Sequence, residues 1–131
     1  MTKKSVLLVD DDQVFNLLNQ KTLQLLDLAN EIHTASNGKE ALDLINDYYV
    51  GAKSIPEVIL LDLNMPIMDG FSFIEAFQKL NVPNKENILI IIVTSSQDPS
   101  DLRRAKALGI NNYLSKPLTE QDLRVALNLD R

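Results

Sequence analysis

The sequence predicts an α/β protein: a five-stranded parallel sheet, doubly wound as (βα)5, with helices on both faces. Three observations carry this expectation. The runs "SVLLVD" (5–10), "EVILLD" (57–62) and "NILIIIVTS" (87–95) are rich in Val, Ile and Leu without polar alternation, as central parallel strands covered on both faces are. Segments of helical spacing with helix-start and helix-stop residues separate the runs. Each run also ends in polar residues, and the carboxyl ends of parallel strands are where open sheets bind ligands.

In chain order, 5–10 is the first strand. A helix follows Asp12, with Val14, Leu17, Leu18, Leu25 and Leu28 close to the spacing of one apolar face and Asp12 as its N-cap. "EIHTAS" (31–36) reads as an outer strand. After "NGKE" a second helix carries Ala41, Leu42, Ile45 and Tyr49, with Tyr48 and Tyr49 packing at its end. The strand 57–62 comes next. After Gly70, Phe73, Ile74, Phe77 and Leu80 mark a third helix, and Phe71, Phe73 and Phe77 fill core. The strand 87–95 leads to "DPSDLRRAKALG", with Asp98 as N-cap, Pro99 at the first helical position and Gly109 as the stop. "NNYLSK" (111–116) is a second outer strand. "TEQDLRVALNL" opens a fifth helix with Thr119 and Asp122 at capping-box spacing. The only long connection lies around 48–56. With about two residues left after the last helix, the expectation is one domain over 1–131 and no output domain.

Bulk properties narrow the function classes. A chain of 131 residues with 45% hydrophobic and 24% charged side chains fits one globular domain, burying roughly two-thirds of its unfolded surface. The net charge of −5 argues against direct binding of nucleic acid or an anionic membrane. With no cysteine, thiol catalysis, disulfides and zinc–cysteine sites are excluded. The apolar run after the basic start "MTKK" is too short for a signal sequence, and nothing approaches the ~20 apolar residues of a membrane helix. A cytoplasmic protein without membrane insertion is expected.

The polar strand ends hold the chemistry. The first strand ends in Asp10, Asp11 and Asp12, the third in Asp62 with Asn64 beyond it, the fourth in Thr94, Ser95 and Ser96, and the fifth in Lys116–Pro117. Asp10, Asp11 and Asp62 cannot all be ionised together without a cation, because like charges oppose ionisation. Mg²⁺, or Mn²⁺ in its place, suits them as a hard cation bound by carboxylates, a carbonyl and waters. A lysine and a hydroxyl facing the metal form a cradle for a transferring phosphoryl group, and a carboxylate among them can serve as nucleophile.

"LLVDDD", "ILLDLNMPIMDG", "IIIVTSS" and "YLSKP", in this order, resemble a response-regulator receiver domain of the CheY-like superfamily over essentially the whole chain. The resemblance implies the flavodoxin/CheY-like strand order 2-1-3-4-5, a role in two-component phosphorelay signalling, and a signalling domain rather than an enzyme. It makes Asp62 the phosphoacceptor, with Mg²⁺ held by Asp10, Asp11, Asp62 and the Asn64 backbone carbonyl. Lys116 would contact the phosphoryl oxygens, Thr94 would be the switching hydroxyl and Tyr113 the aromatic that follows it. Asn64 and Ser96 occupy positions that tune dephosphorylation. A cis peptide is implied at Lys116–Pro117. The implied partners are a sensor histidine kinase or histidine phosphotransfer protein, and a downstream protein at the face of the fourth helix, fifth strand and fifth helix. Ser95 and Leu118 depart from the commonest pattern, where Ala or Gly and Phe are frequent.

Simpler readings exist for single residues. Asp12 is a cap; His33 sits in an outer strand without a metal-spaced partner; Arg103, Arg104 and Lys106 read as a solvated face of the fourth helix. "LVDDDQV" also fits the start of a haloacid-dehalogenase-type phosphatase, with Asp10 as nucleophile and Asp12 as acid. That reading needs an acidic pair after the lysine, has only Asp122 and Asp130 to offer, and leaves Asp62 and Asn64 unexplained. A calcium loop from Asp62 fails at Ile67 and Phe73, and no P-loop accompanies the strands. A pseudo-receiver that binds its partner constitutively would not need Asp62, Thr94 and Lys116 together.

Overall fold

The computed structural model describes residues 4–50 and 55–128, the side chains of 48–50 excepted, so the expected packing of Tyr48 and Tyr49 lies outside the described residues. The strands are β1 (Lys4–Val9), β2 (Ala29–Ala35), β3 (Val58–Leu61), β4 (Leu89–Thr94) and β5 (Asn112–Ser115), all parallel and in the order β2-β1-β3-β4-β5. The helices are α1 (Gln13–Leu25), α2 (Gly38–Val50), α3 (Gly70–Lys79), α4 (Pro99–Ala107) and α5 (Glu120–Leu127), with a short 3-10 turn at Lys85–Asn87. The fold class and strand order are those expected. β2 begins two residues earlier than expected, because Ala29 already pairs with Lys4 of β1.

Side-chain alternation splits each central strand between two cores. Leu7, Val9, Ile59, Leu61, Ile90 and Ile92 face α2, α3 and α4, where Ala41, Ile45, Phe73, Ile74 and Ala105 meet them. Val6, Leu8, Val58, Leu60, Ile91 and Val93 face α1 and α5, meeting Leu23, Leu123 and Ala126. A strand buried on both sides has no polar face to show, which explains the unbroken apolar runs. Each fully buried Ile, Leu or Phe contributes about 1.5–3 kcal/mol, so this sheet is the principal source of stability. Phe71, Phe73 and Phe77 are buried as expected.

The caps lie where the chain signals them. Asp12 accepts from the N–H groups of Val14 and Phe15, Asp98 accepts from the N–H of Ser100, and Thr119 and Asp122 exchange both bonds of a capping box. Gly109 ends α4 with φ +87°, a conformation open to glycine.

One helix corrects its expected facing. In α1 the buried residues are Asn16, Asn19 and Leu23, while Val14, Leu17, Leu18 and Leu25 are 51–86% exposed. The Asn19 amide donates to the Phe15 carbonyl at 2.7 Å and the Asn16 amide to the Asp10 carbonyl at 2.9 Å. Buried polar groups cost less when hydrogen-bonded, so these bonds by the two amide nitrogens help the row face inward, while Asn16 Oδ1 is buried without a partner. The basic residues of α4 are also not wholly solvated: the Arg104 guanidinium lies 4.2 Å from the centre of the Phe71 ring and 3.6 Å from Glu75, tying α4 to α3.

Gly70 begins α3 directly behind the end of β3, where a Cβ would lie 2.5 Å from the Asp62 carbonyl oxygen and 2.8 Å from the Leu63 Cα. Both obstacles are backbone and cannot rotate away. Gly70→Ala is therefore expected to destabilise the fold by about 1–3 kcal/mol, read as a lower urea midpoint at unchanged m-value; an unchanged midpoint would contradict the packing described.

Candidate functional site

The candidate residues stand where the ladders run one step past the strands. The N–H of Asp10 donates to the Ala35 carbonyl at 3.0 Å, that of Asp62 to Val9 at 2.9 Å, and that of Lys116 to Thr94 at 3.0 Å. Three chain segments that are distant in sequence are thereby fixed at one edge of the sheet. Asp10 and Asp62 are buried, Thr94 is fully buried as the last residue of β4, and Asp11 is exposed. Oxygens of Asp10, Asp11 and Asp62 lie within 4.8 Å of one another.

Lys116 is the compensating charge. Its ammonium is 2.6 Å from Asp10 Oδ2 and 3.6 Å from Asp62 Oδ2, with the side chain 19% exposed. The Lys116–Pro117 peptide is cis, as the resemblance implied. Three carboxylates against one ammonium leave two negative charges uncompensated, and Asp10 Oδ2 meets the ammonium without accepting an aligned hydrogen bond. An all-oxygen donor set with that residual charge fits a hard divalent cation. Burial first, and then the Asp10 carboxylate, push the Asp62 carboxyl above its usual range; Lys116 and the N–H groups of Asn64 and Leu63 oppose this. Burial pulls Lys116 down, but Asp10 and Asp62 outweigh it and hold the ammonium above its ordinary value.

The loop after Asp62 is tightly built. The Leu63 N–H donates to Asp62 Oδ1 at 2.9 Å, and the Gly38 N–H at the start of α2 donates to the Met68 carbonyl at 3.0 Å. Asn64 is exposed at the rim, and Ile67 adopts φ +68°, a strained conformation for a β-branched residue. On the other side, Thr94 Oγ1 accepts from the Ser96 N–H at 3.2 Å, while the Ser96 hydroxyl donates to Asp101 at 2.6 Å and ties the loop to α4. Tyr113 is half-buried; burial and then Asp101 raise its hydroxyl, which the Ser96 side chain partly offsets. Of the two departures from the commonest pattern, Ser95 is exposed and Leu118 packs against the core shared with α1 and α5.

Seven of the eight predicted site residues stand at this edge or in its loops, and Tyr113 lies within β5 beside Ser96. His33 lies apart, 2.7 Å from Glu31 in β2. Asp122, which the phosphatase alternative required, is engaged in the capping box of α5; Asp130 lies outside the described residues. Two neighbours escaped sequence reading. Asn16 donates to the Asp10 carbonyl, and Phe15 places its ring 4.4 Å from the Lys116 ammonium. Their only sequence signal was a position in the first turns of α1, which a solvent-facing residue shares.

Because burial raises the Asp62 pKa, its stabilising contribution is full below the ordinary value of 3.8 and is lost as pH rises through the higher folded value. Asp62→Asn is therefore expected to raise the metal-free melting temperature at pH 7. The gain should vanish in acid, where the wild-type carboxyl is neutral. Added Mg²⁺ should raise the melting temperature of the wild type more than that of the variant. Scanning calorimetry across pH reads all three, and a variant less stable than wild type at pH 7 would contradict the electrostatics.

Comparison with known proteins agrees with this geometry. A family model described as the response regulator receiver domain matches residues 6–128. A probable chemotaxis protein CheY of Rhizobium etli is 31% identical over 95% of this chain and 90% of its own. Sporulation initiation phosphotransferase F of Bacillus subtilis is 30% identical over 97% and 93%. The crystal structure of a two-component response regulator from Cytophaga hutchinsonii superposes with a TM-score of 0.85 at 33% identity, over 97% of this chain and 96% of that one. With five parallel strands in the matching order and the acidic edge in place, the chain belongs to the response-regulator receiver family, the phosphoacceptor domains of two-component signal transduction.

Proposed function

We propose that residues 1–131 act as a cytoplasmic receiver in which Asp62 is the phosphoacceptor, taking a phosphoryl group from the phosphohistidine of a sensor histidine kinase or histidine phosphotransfer protein. The convergence of Asp10, Asp11 and Asp62 within 4.8 Å, faced by Lys116, carries this reading. An Asp62 carboxylate oxygen attacks phosphorus, the phosphorus–nitrogen bond breaks, and the donor imidazole leaves. Asp10, Asp11, Asp62 and the Asn64 carbonyl would hold Mg²⁺ or Mn²⁺, which when bound supplies neutralising charge beside the transferring group. Lys116 contributes the second positive charge. Both Asp62 and Lys116 come to the reaction on ladder-fixed backbone, so little reorganisation is needed. The domain accepts and loses its own phosphoryl group rather than turning over a free substrate.

Switching runs through Thr94, Tyr113 and Ser96. Thr94 ends β4, and its Oγ1 accepts from the N–H of Ser96, whose own hydroxyl donates to Asp101 of α4. A turn of Thr94 toward a phosphoryl oxygen costs the Ser96 bond and loosens the α4–β5 side. That change biases a two-state equilibrium at the α4–β5–α5 face, where a downstream protein docks. Asn64 and Ser96 flank the site and tune hydrolysis of the acyl phosphate.

Incubation with Mg²⁺ and acetyl phosphate is expected to add one phosphoryl group by intact mass, dependent on Mg²⁺ and absent from Asp62→Asn. An adduct that persists in that variant would move the acceptor elsewhere. Lys116→Met should still bind Mg²⁺, because the three carboxylates remain, yet lose the phosphorylation-dependent shifts of α4 and β5 amide resonances. The same shifts in wild type and Lys116→Met would remove the lysine from the switch.

A further inference from the structure

Beyond its two carboxylates, Lys116 has a third neighbour that sequence reading did not find. The Phe15 ring centre lies 4.4 Å from the ammonium, inside the ~6 Å range of a cation–π contact. Phe15 stands on an anchored turn. Asp12 Oδ1 accepts the N–H of Phe15 at 3.1 Å, Asp10 Oδ1 accepts the N–H of Asp12 at 2.9 Å, and the adjacent Asn16 holds the Asp10 carbonyl. The helix segment that carries the ring is thus bonded to the segment that carries the carboxylates. The ring itself packs against the core of α1 and α5, as does Leu118, two residues beyond the lysine.

The physical need for such a contact is clear. A lysine is a point charge on a flexible four-carbon stem. Its nearest anion, Asp10 at 2.6 Å, is also a candidate metal ligand, and a carboxylate engaged by a cation anchors an ammonium less firmly. The ring is no ligand, carries no charge to be neutralised, and faces an ammonium largely withdrawn from solvent. Such a contact is stronger than an exposed one.

We propose that Phe15 is a positioning residue for Lys116: its ring face holds the ammonium over the Asp10–Asp62 pair and keeps it aimed where phosphoryl oxygens arrive. The role rests on the phosphoacceptor reading above. Core filling alone would be served equally by leucine, which keeps the apolar packing and lacks the π face.

The test compares the full chain with Phe15→Leu and Phe15→Tyr. Thermal melts verify folding. Lys116 side-chain resonances are followed in ¹³C-lysine-labelled, metal-free protein, assigned with Lys116→Met. Phosphorylation rates are then taken with Mg²⁺ and phosphoramidate. The proposal expects an upfield ring-current displacement of the Lys116 resonances in wild type and Phe15→Tyr, absent in Phe15→Leu. It also expects phosphorylation about three- to tenfold slower in Phe15→Leu, at the scale of a partly desolvated cation–π contact, with Phe15→Tyr restored. Wild-type rates in a folded Phe15→Leu would overturn it whatever the lysine signal does, as would a folded Phe15→Tyr as slow as Phe15→Leu. No Asp62 adduct in wild type would overturn the phosphoacceptor reading and this role together. A normal wild-type adduct with an indifferent Phe15→Leu would remove only Phe15.

Discussion

The constraint on which this structure depends is electrostatic: buried carboxylates sit at the ends of strands that are apolar on both faces. Asp10 and Asp62 are 2% and 6% exposed, where an unpaired charge would cost several kcal/mol. Lys116 offsets part of that cost from a third strand end. The remaining negative charge, on oxygens of Asp10, Asp11 and Asp62 that lie close together, suits this edge to a hard divalent cation. The ladder bonds of Asp10, Asp62 and Lys116 give these charges fixed places and make the sheet the template of the chemistry.

The loops around that template couple it to the rest of the molecule. Gly70 brings α3 against the Asp62 carbonyl, and Gly38 brings α2 against the Met68 carbonyl, leaving the loop after Asp62 little room. On the opposite side, Thr94, Ser96 and Asp101 form a chain of polar contacts from the end of β4 into α4. Arg104 then clamps α4 to α3 through Phe71 and Glu75. The closely packed loop follows Asp62 and the polar one leads outward into α4, an arrangement through which, under the proposed function, a local charge change would bias a distant face.

α1 shows how a few polar bonds can override a hydrophobic pattern. Val14, Leu17, Leu18 and Leu25 have the spacing of an inner face, yet they lie outside. The Asp12 cap and the Asn16 bond to Asp10 fix the rotation of the helix about its axis, and Phe15 and Leu23 supply the inward apolar contacts. Helical spacing identifies a helix, but its inward face is settled by what the adjoining loop requires.

The sequence by itself determined the five βα units, the cap residues, the sheet order through its family resemblance, and the polar strand ends that hold Asp10, Asp62, Thr94 and Lys116. These were legible because burial on both faces imposes apolar runs, and because acids, hydroxyls and a lysine gather together at four strand ends, each of which alone would have a structural reading. The facing of α1, the tie of Ser96 to Asp101, the Arg104 clamp and the ring of Phe15 against Lys116 were decided only by the tertiary structure. Each depends on an angle or distance between elements remote in the chain or on the rotation of a helix about its axis. Residue type and spacing carry no record of either.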